Sequence, residues 1–238
     1  MKTVLVIPTY NEAENIERLI TALRRLNLDL DILVVDDNSP DGTSTIAERL
    51  MKKDKKLHLL LRTRDKGRGS AGVAGFKKAL DMKADIICEM DADFSHDPQY
   101  LPALLKGLEK GDVVLGSRAV SGGSDDDRPF LRRMLTVFAN FYIRLLLGVP
   151  VRDCNSGYRC FKRRVLVALN LDKITTKGPG IVQEILYRAH LAGFRIVEVP
   201  ISFVERRKGT SKLGFKHLYR GYFLILKLRF LRLIGRLN

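Results

Sequence analysis

Asp91-Ala92-Asp93 is the first place in this chain where residue type and spacing point to chemistry. Two carboxylates at i and i+2, just past the apolar run Ile86–Met90, can face one divalent cation and one diphosphate together. A hard cation such as Mg²⁺ or Mn²⁺ takes oxygen ligands and neutralises charge on a departing diphosphate. The same triplet also serves as an ordinary acidic turn, so its neighbours decide its meaning. Asp36-Asp37 closes a second apolar run, Ile32–Val35. A carboxylate there either takes hydrogen bonds from a base or ribose, or caps the turn Asn38–Gly42. Pro8-Thr9-Tyr10-Asn11-Glu12 follows a third run, Thr3–Ile7. Asn11 reads as a helix cap, with Glu14 completing a capping box, which leaves Tyr10 and Glu12 to point into a crevice. Asp153 and Glu184 are further candidates, with capping or ion pairing as the equal alternative.

Positioning these groups requires strands that end where the polar residues begin. The first half supplies them. Short apolar runs at Thr3–Ile7, Ile32–Val35, Leu57–Leu61, Ile86–Met90 and Val113–Gly116 alternate with helical segments that start near Asn11 and cover Thr45–Lys53, Ser70–Met82 and Asp97–Glu109. Strand–helix alternation implies βαβ units, a mostly parallel sheet and an α/β fold. Ligands of such sheets bind beyond the carboxyl ends of the strands, where all three acidic or polar loops lie. After Gly116 the rhythm changes. Ser121–Asp127 reads as a mobile loop, Phe130–Leu147 as a helix, Arg195–Val199 and Ile201–Val204 as short strands, Arg206–Gly214 as a loop and Phe215–Leu237 as a long basic, apolar helix. Gly67-x-Gly69-x-x-Gly72 matches a dinucleotide fingerprint, yet it follows the third strand after five polar residues. It reads instead as a loop and close-packed helix start, with Arg64, Lys66 and Arg68 either touching phosphate or solvated. No histidine takes a catalytic role, and no nucleophile motif occurs.

With 238 residues, 45% hydrophobic and 29% charged, the chain is long enough to bury a core without a disulfide or metal staple. Three cysteines without a CxxC argue against a disulfide framework or zinc site and for a reducing compartment. The N-terminal apolar run is too brief for a signal peptide, and no run approaches the roughly 18 residues of a membrane-spanning helix. The net charge is +15. Residues 1–120 hold 19 basic and 19 acidic side chains, whereas residues 121–238 hold 23 basic and 8 acidic. That asymmetry fits a nucleic acid, a phosphorylated substrate, an anionic membrane surface, or a solvated basic face. Nucleic acid is disfavoured, because aromatic residues are not interleaved with the basic groups and no standard module appears. In the last helix Tyr219, Tyr222, Phe223, Leu226, Phe230, Leu233 and Leu237 form an apolar stripe between basic flanks. Such a helix lies in a membrane interface, packs on the core, or docks on a small integral membrane partner.

Val6–Glu12 together with Val34–Thr43 resembles family-two glycosyltransferases of the GT-A fold: Rossmann-like, with a mostly parallel central sheet flanked by helices. Asp91–Pro98, Gly116-Ser117-Arg118, and Val199–Arg206 followed by Gly209-x-Ser211-Lys212 narrow the resemblance to the dolichol-phosphate mannose synthase family. The resemblance runs from about residue 3 to about residue 215, with its motifs in order. It implies inverting, metal-dependent transfer of mannose from GDP-mannose to dolichyl or polyprenyl phosphate. Alternatives are the same reaction with glucose or another nucleotide sugar, and a non-enzymatic basic protein that binds nucleic acid or a membrane surface. Position by position, Pro8, Tyr10, Glu12, Val35 and Asp37 would hold the guanosine. Asp91, Ala92 and Asp93 would meet ribose, diphosphate and metal, with Asp91 and Asp93 as the metal ligands. Arg118, Arg206 and Lys212 would bind phosphates, so that Asp91, Asp93, Arg118 and Arg206 form the catalytic set. Ser95 stands where some relatives place a metal-binding Gln, and water would take that position. The implied organisation is one GT-A domain over residues 1–214, with a nucleotide-sugar half (1–120) and an acceptor half with a lid loop (121–214), followed by a membrane-interface helix (215–238). The implied location is peripheral, on the cytoplasmic face of a membrane.

Overall fold

The computed structural model describes residues 1–125, 128–203 and 215–237, with side chains from residue 220 in the last segment. Arg206, Lys212 and the expected lid loop therefore lie outside the described residues. The apolar runs form strands: β1 (Thr3–Thr9), β2 (Asp31–Asp36), β3 (Leu57–Leu61), β4 (Ile86–Glu89) and β5 (Val113–Ser117). Between them run α1 (Ala13–Arg25), α2 (Thr43–Met51), α3 (Arg68–Asp81) and α4 (Leu101–Gly107), and α5 (Phe130–Leu147) follows β5. Then come β6 (Arg159–Lys162), α6 (Arg163–Ala168), α7 (Ile181–Leu191), β7 (Ile196–Pro200) and α8 (Phe215–Leu233). The sheet order is β3-β2-β1-β4-β6-β5-β7. β6 runs antiparallel to β4 and β5, and the other pairs are parallel.

Successive residues of β1 face opposite layers, which is why the run is apolar throughout. Leu5 and Ile7 pack with Ile16, Leu19 and Leu23 of α1 and with Leu104 of α4. Val4 and Val6 pack on the other side with Phe76 and Ala79 of α3 and Ile185 of α7. Gly75 lets α3 lie close to the sheet, because a Cβ there would overlap Val6.

The start of α1 differs from the local capping box. Asn11 has φ +60, and the helix begins at Ala13. The loop after β2 caps it instead. Asn11 N donates to Ser39 Oγ at 3.0 Å, Glu12 N to Thr43 Oγ1 at 3.0 Å and Ala13 N to Asp41 Oδ2 at 2.9 Å. Three orphan donors are satisfied across 28 to 31 residues, so two of the crevice loops are tied together.

The second half departs further from expectation. β6 and α7 were not legible as elements, and β6 carries a fully buried arginine. Beyond Pro200 the described residues show one isolated bridge, Ser124 to Ser202, instead of a second strand. In α8 Phe223, Leu226, Phe230 and Leu233 of the apolar stripe are exposed, while Ile225 and Leu228, and Leu237 beyond the helix, join the core. Among the described residues no helix is long and apolar enough to cross a membrane. Cys88 and Cys160 face each other across β4 and β6, sulfur to sulfur at 2.7 Å, and all three cysteines are buried free thiols.

Candidate active site

β1, β2, β4 and β5 deliver the expected residues to one edge of the sheet. Strand order changes direction beside β1, between β2 and β4, which opens a crevice there. Pro8 and Val35 are register partners in β1 and β2, and both are buried. Val35 belongs to the core, so what it offers a ligand is backbone. Tyr10 is 47% exposed at the mouth. Glu12 accepts from Asn15 Nδ2 at 2.8 Å, which ties its carboxylate to the first turn of α1.

The two aspartates after β2 have separate tasks. Asp36 is fully buried and accepts from Thr9 Oγ1 at 2.9 Å and from Ser39 N at 2.8 Å, holding the β1 and β2 loops. Asp37 pairs with Arg62 and accepts from Gly67 N at 2.6 Å. Asp37, expected near a nucleoside, thus has both oxygens tied to the crevice edge. Its oxygens already hold Arg62 and the entry to α3, and Arg62 becomes the added group at this edge.

After β4, Asp93 accepts from Ser95 N at 3.0 Å, and Ala92 and Ser95 are buried beside it. Asp91 takes two bonds from Arg68, from Nε at 3.1 Å and Nη2 at 2.9 Å, both on Oδ1. Arg68 also donates to Glu89 Oε1 at 2.6 Å, and Glu89 pairs on its other side with Arg159. Glu89 is 0% exposed and Arg159 1% exposed. Burial pushes the Glu89 carboxyl upward, but Arg68 and Arg159 outweigh it and hold it below the usual carboxylate range. Thus Arg68, open between phosphate contact and solvation in the sequence, is an ion-paired group of the site.

His96, given no role from sequence, packs beneath this loop. Its Nδ1 accepts from Asp91 N at 3.1 Å, and its ring stacks on Tyr158 at 5.1 Å. Burial lowers its pKa against the pull of Asp91 and Asp93, which keeps the ring neutral with its proton on Nε2. Gly157 lies over the same loop. A Cβ at that position would stand 3.3 Å from His96 Cε1 and 3.7 Å from Asp91 Oδ2, so the chain at Gly157 packs close against this loop. Among the described residues no three His, Cys, Asp or Glu side chains form a ready metal cluster. The pair Asp91 and Asp93 supplies oxygen donors alone, the kind of donor a hard cation would take.

Past β5, Arg118 is gripped by Asp153 through Nε to Oδ2 at 2.7 Å and Nη2 to Oδ1 at 2.8 Å. Its guanidinium lies 5.0 Å over Phe203. Burial opposes the charges of both partners, and the fork outweighs it, raising the arginine pKa and lowering that of Asp153. Arg118 and Asp153 line a cleft of about 190 Å³ with Arg133, Thr136, Val137 and Asn140 of α5. Glu184 lies elsewhere, bonded to Thr176 and Arg188, and anchors the loop that packs on Gly67 and Gly69.

Over its whole length the chain superposes on mannosyl-3-phosphoglycerate synthase from Rubrobacter xylanophilus with a TM-score of 0.70, at 18% identity and covering 76% of that chain. The fold is therefore the GT-A α/β fold, with the mostly parallel sheet that the strand pattern implies. In sequence, residues 4–169 match the family described as Glycosyl transferase family 2. The chain is 42% identical over 214 residues to undecaprenyl-phosphate mannosyltransferase of Micrococcus luteus, covering 90% of this chain and 88% of that protein. It is 39% identical over 226 residues to polyprenol monophosphomannose synthase of Mycolicibacterium smegmatis, covering 94% and 85%. The chain belongs to glycosyl transferase family 2 and is a glycosyltransferase.

Proposed function

We propose that this enzyme transfers mannose from GDP-mannose to a polyprenyl phosphate with inversion, at a membrane surface. The observation that carries the reading is the Arg118 cleft. One wall is a charge-paired arginine suited to phosphate oxygens, and the other is α5, whose Phe130, Leu131, Val137, Phe138 and Phe141 are exposed. A phosphate head and an apolar tail need such neighbouring surfaces. Phe223, Leu226 and Phe230 of α8 add to the same region, since Tyr222 packs on Tyr142 of α5 at 4.9 Å. Exposed arginines and lysines nearby suit an anionic leaflet, each adding about 1 kcal/mol.

In this reading residues 1–120 bind the donor, residues 121–214 the acceptor, and residues 215–238 the membrane. Asp91 and Asp93 would hold Mg²⁺ or Mn²⁺, which when bound neutralises charge on the departing diphosphate. Tyr10, Glu12 and the backbone of Pro8 and Val35 shape the nucleoside end, with Arg62 and Asp37 closing it. Arg206 and Lys212 belong to the reading as phosphate contacts implied by the family motifs. The acceptor is a phosphate monoester whose second pKa is about 6, so it is largely dianionic at neutral pH. A general base is therefore dispensable, and none is needed near Arg118. The enzyme's residues contribute alignment of the attacking oxygen opposite the leaving group and a fixed cationic field.

A thermal-shift panel of nucleotide sugars with Mn²⁺ tests the donor. GDP-mannose raises the melting temperature most, and omission of the cation shrinks the shift. A larger shift with UDP-glucose would redirect the reading to a glucosyl donor. For the surface, Leu131→Glu with Phe141→Glu lowers liposome association at least tenfold, because each buried apolar side chain is worth roughly 1.5–3 kcal/mol. Both positions are well exposed, so folding is retained. An unchanged liposome-bound fraction in a flotation assay would remove α5 from the membrane contact.

A further inference from the structure

The carboxylate of Asp91 is not offered to a cation bare. Arg68 places Nε and Nη2 on its Oδ1 and Nη1 on Glu89 Oε1, while Arg159 holds the second oxygen of Glu89. Two carboxylates and two guanidiniums therefore neutralise each other before any ligand arrives. The backbone is built for this contact. Gly72 faces the pair, where a Cβ would stand 3.0 Å from Glu89 Oε1 and 3.4 Å from Arg68 Nη1. Gly67 and Gly69 bring the first turn of α3 against the backbone of residues 176–178, and Gly69 N donates to Lys177 O at 2.9 Å. Arg68 is thus fixed at the root of α3 and aimed at one oxygen. The other oxygen of Asp91 lies on the His96 and Gly157 side.

We infer that Arg68 is a positioning residue that fixes Oδ1 of Asp91 and makes the acidic pair reject a bare divalent cation, admitting it with an anionic diphosphate. The inference rests on the reading of Asp91 and Asp93 as the cation's ligands. A guanidinium 2.9 Å from one ligand oxygen repels an incoming cation, and the diphosphate supplies the negative charge that offsets this.

The test is Mn²⁺ binding to the nucleotide-free full chain, followed by the electron paramagnetic resonance signal of free Mn²⁺. Arg68→Met binds Mn²⁺ at least tenfold more tightly than the unaltered protein, and Arg68→Lys restores rejection because it keeps the charge. Adding Asp91→Asn to Arg68→Met abolishes the gain. A purely structural arginine would alter melting without creating Mn²⁺ affinity. Should Arg68→Met lose its cooperative melting transition, Arg68→Gln, which still hydrogen-bonds Glu89, must show the same gain. No gain in the folded neutral variant, or a gain that survives Asp91→Asn, overturns the inference. GDP-mannose affinity is measured separately. Its absence in every protein would refute the donor reading, while a Mn²⁺ gain in Arg68→Met would still uphold the role of Arg68.

Discussion

Asp93→Asn lowers the turnover of mannosyl transfer by about 10²–10³-fold, the range seen when one electrostatic contact to developing charge is lost. The substitution separates charge from architecture. Asp93 Oδ1 accepts from Ser95 N at 3.0 Å, and the amide oxygen of Asn can accept the same bond. The turn after β4 is therefore preserved, and the melting temperature changes by a few degrees at most. On the proposed reading, what disappears is one of two anionic oxygen ligands for the cation. Raising Mn²⁺ recovers part of the rate if weaker cation binding is the cause. The measurement is steady-state transfer from GDP-mannose to polyprenyl phosphate over a Mn²⁺ series, beside a melting curve. A variant with more than a tenth of the original turnover would dismiss Asp93 as a ligand.

Arg159→Met destabilises the fold by about 3–5 kcal/mol, the usual cost of removing one partner from a buried pair. Glu89 would keep Arg68 but lose the guanidinium on its other oxygen, at a position with no access to water. The pH dependence has a definite sign. Burial raises the Glu89 pKa, and the two arginines more than reverse this, so the folded value lies below the unfolded one. The pair's contribution is complete above the unfolded carboxylate pKa of about 4.3 and is lost as pH falls through the folded value. In the variant the folded value moves up. The stability difference between the two proteins therefore narrows in urea unfolding as pH falls below about 4.3. Replacing both groups, Glu89→Leu with Arg159→Met, recovers much of the loss, because no uncompensated charge remains. Equal stability of Arg159→Met and the unaltered protein at pH 7 would show that Arg68 alone satisfies Glu89.

The first half of the fold was readable because its signals are short-range. Thr3–Ile7 and Ile32–Val35 are apolar throughout, as strands covered on both faces must be, and their boundaries fall within two residues of β1 and β2. The second half resisted for the opposite reason. β6 reads Arg-Cys-Phe-Lys, with no apolar run, and becomes a central strand because Arg159 finds Glu89 across 70 residues. The Asn11 and Glu14 pattern matched a local cap, yet Ser39, Asp41 and Thr43 outcompete it once β1 and β2 are adjacent. In α8 both apolar edges were visible, but only packing against the core decided that Ile225 and Leu228 go in and Phe223 and Phe230 stay out.

By itself the sequence determined which backbone runs become parallel strands and that Asp91, Asp93 and Arg118 follow their carboxyl ends, since alternation and apolarity act over a few residues. Tertiary structure decided the partners: Arg62 for Asp37, Asp153 for Arg118, and Arg68 with Glu89 for Asp91. A side chain's charge is written in the chain, but its free energy depends on burial and on the group facing it. Those were set only when residues 23 to 70 positions apart came together.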